Sequence, residues 1–264
     1  MPMKVNYGSC VPISTVDWHG HVSVVLFLRN CPFRCPYCQN YNLLNDPNLT
    51  DISVLEAAIK KSRPFVSSVI FLGGEPLMQK QAVVHLSRFA KKNGLLVGVH
   101  TNGFYPQALN ELIEEKLIDK AFIDIKAPLD DIGAYGRVIG HGTSPHVRAE
   151  PSDAVRRISD SVLLVLQSGV ELELRTTVFR GFMGDTDDVR RIAASILSLT
   201  GDRNVPYVLQ QGLSENAALA SMRDIKPFSR EEMLGLAATA HESLDNVWIR
   251  TREHGNEKIN FEPV

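Results

Sequence analysis

The sequence predicts an α/β protein built as a partial (β/α)6 barrel of the TIM type. Apolar, β-branched runs alternate along the chain with segments of helical periodicity, which is typical of a parallel sheet covered by helices. The chain has 264 residues, 44% of them hydrophobic and 22% charged, which is enough for one barrel domain. We therefore expect a single domain over residues 1–264, with a core at about 20–212 and a helical and strand extension at 213–264.

The expected strands are apolar runs that suit burial on both faces of a sheet. They lie at 21–29, 67–74, 95–103, 120–128, 170–178 and 205–212. Ser53 and Glu56 form a capping-box pattern ahead of one helix, and Ser229 and Glu232 repeat it ahead of another. Further helices are predicted at 79–92, 106–117, 152–168 and 186–199. Residues 128–151 are too many for an ordinary connection, so they form either a solvated loop or a substrate-facing one.

Composition argues against two classes of partner. The net charge of -2 gives no general basic field for nucleic acid, and no apolar run approaches the length of a membrane-spanning helix. The first residues lack the basic and apolar layout of a secretory signal. We therefore expect a cytoplasmic protein that binds neither membrane nor nucleic acid and whose cysteines stay reduced.

Three of the four cysteines lie within eight residues, directly after the first expected strand. In CPFRCPYC, prolines follow Cys31 and Cys35, which disfavours helix and bends the segment into an irregular loop. Three thiolates with the spacing C-x3-C-x2-C, completed by Cys38, can hold three irons of a 4Fe-4S cluster and leave the fourth iron open. The alternative is a structural zinc site with Cys10, His19 or His21 as the fourth ligand.

Polar residues follow the other expected strands, at the edge where such folds place their chemistry. Strand alternation puts Asp124 and Lys126 on one side of their strand with Phe122. The same alternation predicts an inward Arg175, whose planar fork suits a carboxylate, although an internal ion pair with Glu173 is the other interpretation. The remaining strand-end candidates are Gly73, Gly74, Glu75, Thr101 and Asn102.

These motifs resemble the radical S-adenosylmethionine (SAM) superfamily. CPFRCPYC matches the family's cysteine motif, with Tyr37 as its aromatic penultimate residue, and GGEP at 73–76 is similar to the second-strand motif. The resemblance implies a 4Fe-4S cluster on Cys31, Cys35 and Cys38, with SAM bound by its amino and carboxylate groups to the open iron. Reductive cleavage would then give methionine and a 5'-deoxyadenosyl radical. In the family the acid of this motif, here Glu75, helps to hold the cofactor's ammonium group.

Residues 14–40, HTNGF, DIKAP and RTTVFRGFMGDTDDV are similar to the activating enzymes of glycyl radical enzymes, above all the longer type that activates anaerobic ribonucleoside-triphosphate reductase. The resemblance implies a glycyl radical enzyme as partner and a flavodoxin- or ferredoxin-type electron donor. A radical enzyme for a small metabolite or an RNA nucleoside is the alternative. His19 stands where the family pattern has proline. His100 stands where formate-lyase activases have an aspartate of a monovalent-cation site, so that site is not carried over.

Overall fold

Parallel strands form the centre of the sheet in a computed structural model, which describes residues 3–147 and 149–261. Its ten strands run in the order β10-β9-β8-β7-β6-β5-β4-β2-β1-β3. Those paired in parallel are β2 (Ser23–Leu28), β4 (Ser68–Gly73), β5 (Leu96–Thr101), β6 (Lys120–Asp124), β7 (Glu171–Val178), β8 (Tyr207–Gln211) and β9 (Val247–Thr251). Antiparallel strands extend both edges: β1 (Lys4–Ser14), β3 (Leu49–Asp51) and β10 (Gly255–Lys258).

Helices connect the parallel strands, as the alternating pattern predicts. They are α1 (Ile52–Ser62), α2 (Lys80–Lys92), α3 (Pro106–Glu114), α4 (Ile132–Ile139), α5 (Pro151–Ser168), α6 (Thr186–Thr200) and α7 (Arg230–His241). The capping box of Ser229 and Glu232 is confirmed at the start of α7. The start expected for α1 is wrong, because Asp51 is its N-cap and accepts a hydrogen bond from the Ser53 amide.

The two faces of the sheet bury different sets of side chains. Strand residues such as Leu26, Phe71 and Ile123 pack into the large cluster that the helices cover. Residues of alternate parity, including Ile70 and Phe122, form a second cluster with Trp18. The alternation predicted for β6 is therefore confirmed, and the second cluster lies inside the partial barrel.

The segment between β1 and β2, residues 15–22, spans the interior between the two sides of the parallel sheet. Trp18 is buried and packs edge-on against Phe122 of β6, with ring centroids 5.8 Å apart. At β9, the edge of the parallel strands, the His19 ring lies 5.4 Å from that of Trp248, and Arg250 donates a hydrogen bond to the Val16 carbonyl. We call residues 15–22 the strap.

Two features differ from the sequence-based expectations. The predicted parallel sheet is confirmed, but β9 adds a further parallel strand from within the extension. Residues 128–151 are not one irregular loop, because α4 occupies their first half. Among the helices of the described ranges, none combines the length and apolar content that a bilayer crossing requires.

Candidate active site

A cavity of about 290 Å³ opens where the carboxyl ends of the strands meet. Its wall brings together most of the residues that the sequence singles out. They are Cys31, Cys35, Tyr37, Cys38, Gly73, Gly74, Thr101, Asn102, Asp124, Lys126 and Arg175. The single predicted site residue that does not line this cavity is Glu75. Since these residues come from β2, β4, β5, β6 and β7, the parallel sheet itself creates the site.

The cysteine loop is fixed by its own backbone and by one arginine. The Cys38 amide donates to the Cys35 carbonyl at 3.0 Å. Arg34 turns away from the cavity and donates from Nη1 to the carbonyls of Cys31 at 2.7 Å and Phe33 at 2.9 Å. These bonds hold the loop in an irregular conformation that directs the cysteine side chains into the cavity.

The sulfur atoms receive donors of the kind that cluster thiolates need. Asn102 Nδ2 lies 3.5 Å from Cys31 Sγ, and the Phe33 amide donates to the same sulfur at 3.5 Å. Burial raises the pKa of the Cys35 thiol to about 12 and that of Cys31 well above its ordinary value. The thiols are therefore protonated without a cationic partner, and positively charged iron is a partner that favours their ionised form.

Tyr37 carries a polar atom that the protein leaves unpartnered. Its ring packs against Phe179 and Phe182, with centroids 5.9 and 5.7 Å away. Its hydroxyl is buried and has no hydrogen-bond partner among the described residues. A buried hydroxyl usually has a partner, so an unpartnered one on a residue that lines the cavity is consistent with a site for a polar ligand.

Glu75 lies behind the cavity wall, where it shapes the wall instead of facing a ligand. Its side chain has no exposed surface. The carboxylate accepts hydrogen bonds from Thr101 Oγ1 at 2.8 Å, from the Asn102 amide at 2.7 Å and from the Leu77 amide at 3.0 Å. Burial outweighs these donors and raises its pKa to about 7. Glu75 thus joins the end of β4 to the end of β5.

Gly73 and Gly74 allow the ends of β2 and β4 to approach closely. A Cβ on Gly73 would lie 2.3 Å from the Leu28 carbonyl oxygen, and one on Gly74 would lie 2.1 Å from that of Asn30. Gly73 also has a φ of +130°, which favours glycine. The motif GGEP therefore brings the cysteine loop, which follows β2, against the end of β4.

Two cationic side chains of the cavity wall, one just past β6 and one on β7, have acidic partners. Lys126 Nζ lies 2.9 Å from Asp124 Oδ2. Burial alone would lower the pKa of Lys126, but Asp124 raises it well above its ordinary value. Arg175 Nε lies 2.7 Å from Glu173 Oε1, so the internal ion pair exists and Arg175 still lines the cavity.

His100 lies between Arg175 and the strap. Its Nδ1 accepts from Arg175 Nη1 at 3.1 Å, and its Nε2 lies 3.2 Å from the Asp17 carbonyl, to which it donates. Burial and the neighbouring guanidinium lower the pKa of His100 well below its ordinary value. The imidazole of His100 is therefore neutral and accepts a hydrogen bond from Arg175. It does not supply the negative charge that a carboxylate gives to a cation site.

The described residues of 128–147 and 149–151 do not line this cavity, and α4 among them supports the cysteine loop. The Arg34 amide donates to the Ile139 carbonyl at 2.9 Å at the end of α4. Tyr135 Oη accepts from the Lys126 amide at 3.3 Å. A Cβ on Gly140 would lie 2.3 Å from the Arg34 carbonyl oxygen. Residues 132–140 therefore support the cysteine loop, which neither sequence-based interpretation includes, and a substrate-facing role of the segment stays a prediction.

The zinc alternative has no geometric support. No group of three or more Cys, His, Asp or Glu side chains in residues 3–147 and 149–261 is arranged to hold one metal ion. Cys10 pairs with Leu26 along β1, His19 packs on Trp248, and His21 contacts Ser67 before β4 begins. A cluster differs from zinc because its cysteines bind different irons and need not share one point.

Besides His100, six polar residues that line the cavity are not among the predicted site residues: Asp17, Gln39, Asn40, Thr177, Gln210 and Arg250. Thr177, Gln210 and Arg250 lie on β7, β8 and β9 and face the cavity. Strand alternation places Thr177 on the same side of β7 as Arg175, although Thr177 is not among the predicted site residues. Arg250 could not be found this way, because the short run VWIRT has little apolar pattern and its place beside β8 follows only from the fold.

The fold and the site agree with one family. Residues 25–192 match the Radical SAM superfamily, which is more than half of the chain, and the chain belongs to this superfamily. It is therefore a radical SAM enzyme, and its cofactors are a 4Fe-4S cluster and SAM. The cysteine set, the donors to Cys31 and the free Tyr37 hydroxyl fit these groups.

Related proteins indicate which kind of radical SAM enzyme the chain is similar to. The chain is 29% identical over 249 residues to a Methanocaldococcus jannaschii protein, covering 94% of this chain and 97% of the relative, which is named provisionally as a glycyl-radical enzyme activating enzyme. It is 24% identical over 241 residues to the pyruvate formate-lyase-activating enzyme of Clostridium pasteurianum, covering 87% and 94%. The pyruvate formate-lyase 1-activating enzyme of Escherichia coli K12 is 26% identical over 196 residues, covering 71% and 72%.

Solved structures share the fold at low identity. A radical SAM methyltransferase from Sphaerobacter thermophilus superposes with a TM-score of 0.66 at 17% identity, covering 88% of this chain and 67% of the other. TYW1 with a lysine-pyruvate adduct gives 0.59 at 15% identity, covering 89% and 78%. At such identities the likeness concerns architecture alone.

Proposed function

We propose that this protein is an activating enzyme that generates a glycyl radical on a partner enzyme. The observation that carries the proposal is the cavity, which gathers three cysteines and the polar ends of the next strands in one place. The relatives support it, since they span nearly the whole chain and bear the names of activating enzymes. When bound, the cluster supplies an electron and SAM supplies the radical that removes a hydrogen atom from the substrate.

Each part of the cavity has a role in this proposal. Cys31, Cys35 and Cys38 hold three irons, and Asn102 donates toward one of the sulfurs. Asp124 and Lys126 bind the charged ends of the methionyl group, while Tyr37 offers a hydroxyl to the cofactor. Glu75 positions Thr101 and Asn102 from behind. No general acid or base is needed, because the reaction removes a hydrogen atom and the protein contributes position and exclusion of water.

The substrate in this proposal is a glycine residue in the backbone of the partner enzyme. Its α-carbon has no side chain to block approach, and a partner loop can carry it to the open ends of the strands. We propose an anaerobic ribonucleoside-triphosphate reductase as the partner, on the resemblance of residues 9–212, and a flavodoxin or ferredoxin as electron donor. Because the curated relatives are named for pyruvate formate-lyase, any test includes both kinds of partner.

The test is anaerobic electron paramagnetic resonance. The cluster is reconstituted and reduced, SAM is added, and each glycyl radical enzyme encoded in the same genome is supplied in turn. A glycyl doublet that requires every component is expected with one partner. Release of deoxyadenosine without a glycyl doublet on any of these partner enzymes would contradict the activating function. It would still show that the protein cleaves SAM to a radical.

A second candidate is a radical enzyme for a small metabolite. The 7-carboxy-7-deazaguanine synthase of Methanospirillum hungatei is 31% identical over 87 residues, although this covers only 33% of the chain. Deoxyadenosine release in the same experiment, with metabolite pools in place of partner enzymes, distinguishes this candidate.

A further inference from the structure

Three side chains on neighbouring strands form a row of hydrogen-bond donors across the cavity. Thr177 pairs in register with Gln210, and Gln210 pairs with Arg250. All three line the cavity. The row therefore presents a hydroxyl, a carboxamide and a guanidinium side by side, and we call it the β7–β9 row.

Arg250 is the charged member of the row, and its guanidinium forms no ion pair with a described residue. By contrast, Lys126 pairs with Asp124 and Arg175 with Glu173. Its one hydrogen bond to the protein is to the Val16 carbonyl. Burial and the nearby Arg175 lower the pKa of Arg250 to about 10. The carboxylates of Asp17 and Glu173 act on the pKa in the opposite direction without pairing with Arg250, so this half-buried guanidinium keeps donors available for an anionic ligand.

The row lies on β7, β8 and β9, whereas the cysteine loop follows β2, and β4, β5 and β6 lie between them in the sheet. The charges that act on Arg250 are those of Arg175, Asp17 and Glu173. Those acting on Cys35 are Lys126, Cys38 and Asp124. The cavity thus has a thiol end and a basic end.

We propose that the β7–β9 row binds a carboxylate of the substrate. A planar guanidinium flanked by a carboxamide and a hydroxyl matches the oxygens of a carboxylate, which accept several donors at once. The inference rests on the proposed function, in which the single carboxylate of SAM is engaged at the thiol end. The anion at the basic end then comes from the substrate, and for a protein substrate it is an acidic side chain close to the target glycine.

Equilibrium binding tests the row without relying on turnover. A fluorescent glycine-centred decapeptide is made with one glutamate at each position in turn, and each version has a glutamine counterpart. Anisotropy is measured on the enzyme with its cluster loaded but unreduced and with SAM present, so that no cleavage occurs. We expect at least one glutamate peptide to bind about tenfold more tightly than its counterpart, the scale of a charge-assisted contact. Arg250→Gln should abolish this discrimination.

Two further variants define the outcome. Arg250→Lys keeps the charge and should retain part of the discrimination, while Arg252→Gln removes an exposed arginine that pairs with Glu215 and should change nothing. SAM affinity is measured in parallel and should be the same in the Arg250→Gln protein within about twofold. The proposal is overturned if no glutamate peptide is preferred by the parent, or if Arg250→Gln weakens SAM binding and leaves peptide preference intact. Neither result depends on whether a glycyl radical forms.

Discussion

Glu75 illustrates how a motif residue can serve a cavity from behind its wall. Sequence reasoning identified the residue and its strand end, but it could not identify the direction of the side chain. The carboxylate is enclosed by donors from Leu77, Thr101 and Asn102. Its effect on a ligand therefore passes through the backbone at the end of β5.

The raised pKa of Glu75 gives the stability a pH dependence. The folded protein holds the proton up to about pH 7, whereas the unfolded chain releases it near the ordinary value. This contribution to stability is therefore complete below about pH 4.5 and declines as the pH rises to about 7, by about 3 kcal/mol. Glu75→Gln should remove this decline in urea unfolding of the cluster-free protein between pH 5 and 8.

The control for Glu75 is Glu253→Gln, which changes an exposed carboxyl. It should show the parent's pH profile. An identical decline in the Glu75→Gln protein would show that another group is responsible. The same variant should weaken SAM binding while keeping the iron content, because the Asn102 amide then faces an amide NH2 in place of an oxygen.

We expect three of the four cysteines to be cluster ligands and Cys10 not to be one. Cys31→Ala, Cys35→Ala and Cys38→Ala should each abolish cluster assembly, since each removes the ligand of one iron. Cys10→Ala should assemble a normal cluster, because Cys10 lies on β1 away from the cavity. The cluster content of each variant is measured by iron and sulfide analysis and by the visible absorption spectrum. A full iron complement in the Cys35→Ala protein would refute the ligand assignment.

At the level of elements, the strands and most helices could be predicted because their hydrophobic periods are strong. The exception that matters for the site is α4. Its sequence IGAYGRVI contains two glycines and follows a proline-containing turn, so local propensity argues against a helix. Its burial against the cysteine loop stabilises it, and that contact is invisible to a local pattern.

Gly140 tests the contact between α4 and the cysteine loop. Gly140 and Gly142 have similar φ values of +78° and +73°, but a Cβ would meet the Arg34 carbonyl oxygen only at Gly140, while Gly142 faces open space. Gly142→Ala should cost about 1 kcal/mol of unfolding free energy from backbone strain alone. Gly140→Ala should cost at least about 2 kcal/mol and lower the iron bound per chain.

The comparison of the two alanine variants isolates the steric effect, because both carry the same strain. Unfolding is followed by circular dichroism, and iron is counted after reconstitution. Equal iron contents in the two proteins would mean that the contact between the end of α4 and the cysteine loop does not affect iron binding.

At the level of the whole molecule, the strap fills the barrel interior and joins the two sides of the sheet. Trp18→Ala should lower the free energy of unfolding by about 3–5 kcal/mol, because it empties a buried position beside Phe122. His19→Ala, at the exposed neighbour, should cost less than about 1 kcal/mol. Chemical denaturation measures both, and similar losses would contradict the role of Trp18 as the interior plug.

The strands of this sheet become available in a definite order during synthesis. The cysteine loop leaves the ribosome early, directly after β2, while β9 is the last of the parallel strands to be made. Arg250 and Trp248 can meet the strap only after that. The thiols of a nascent chain are consequently without the finished cavity wall for most of translation.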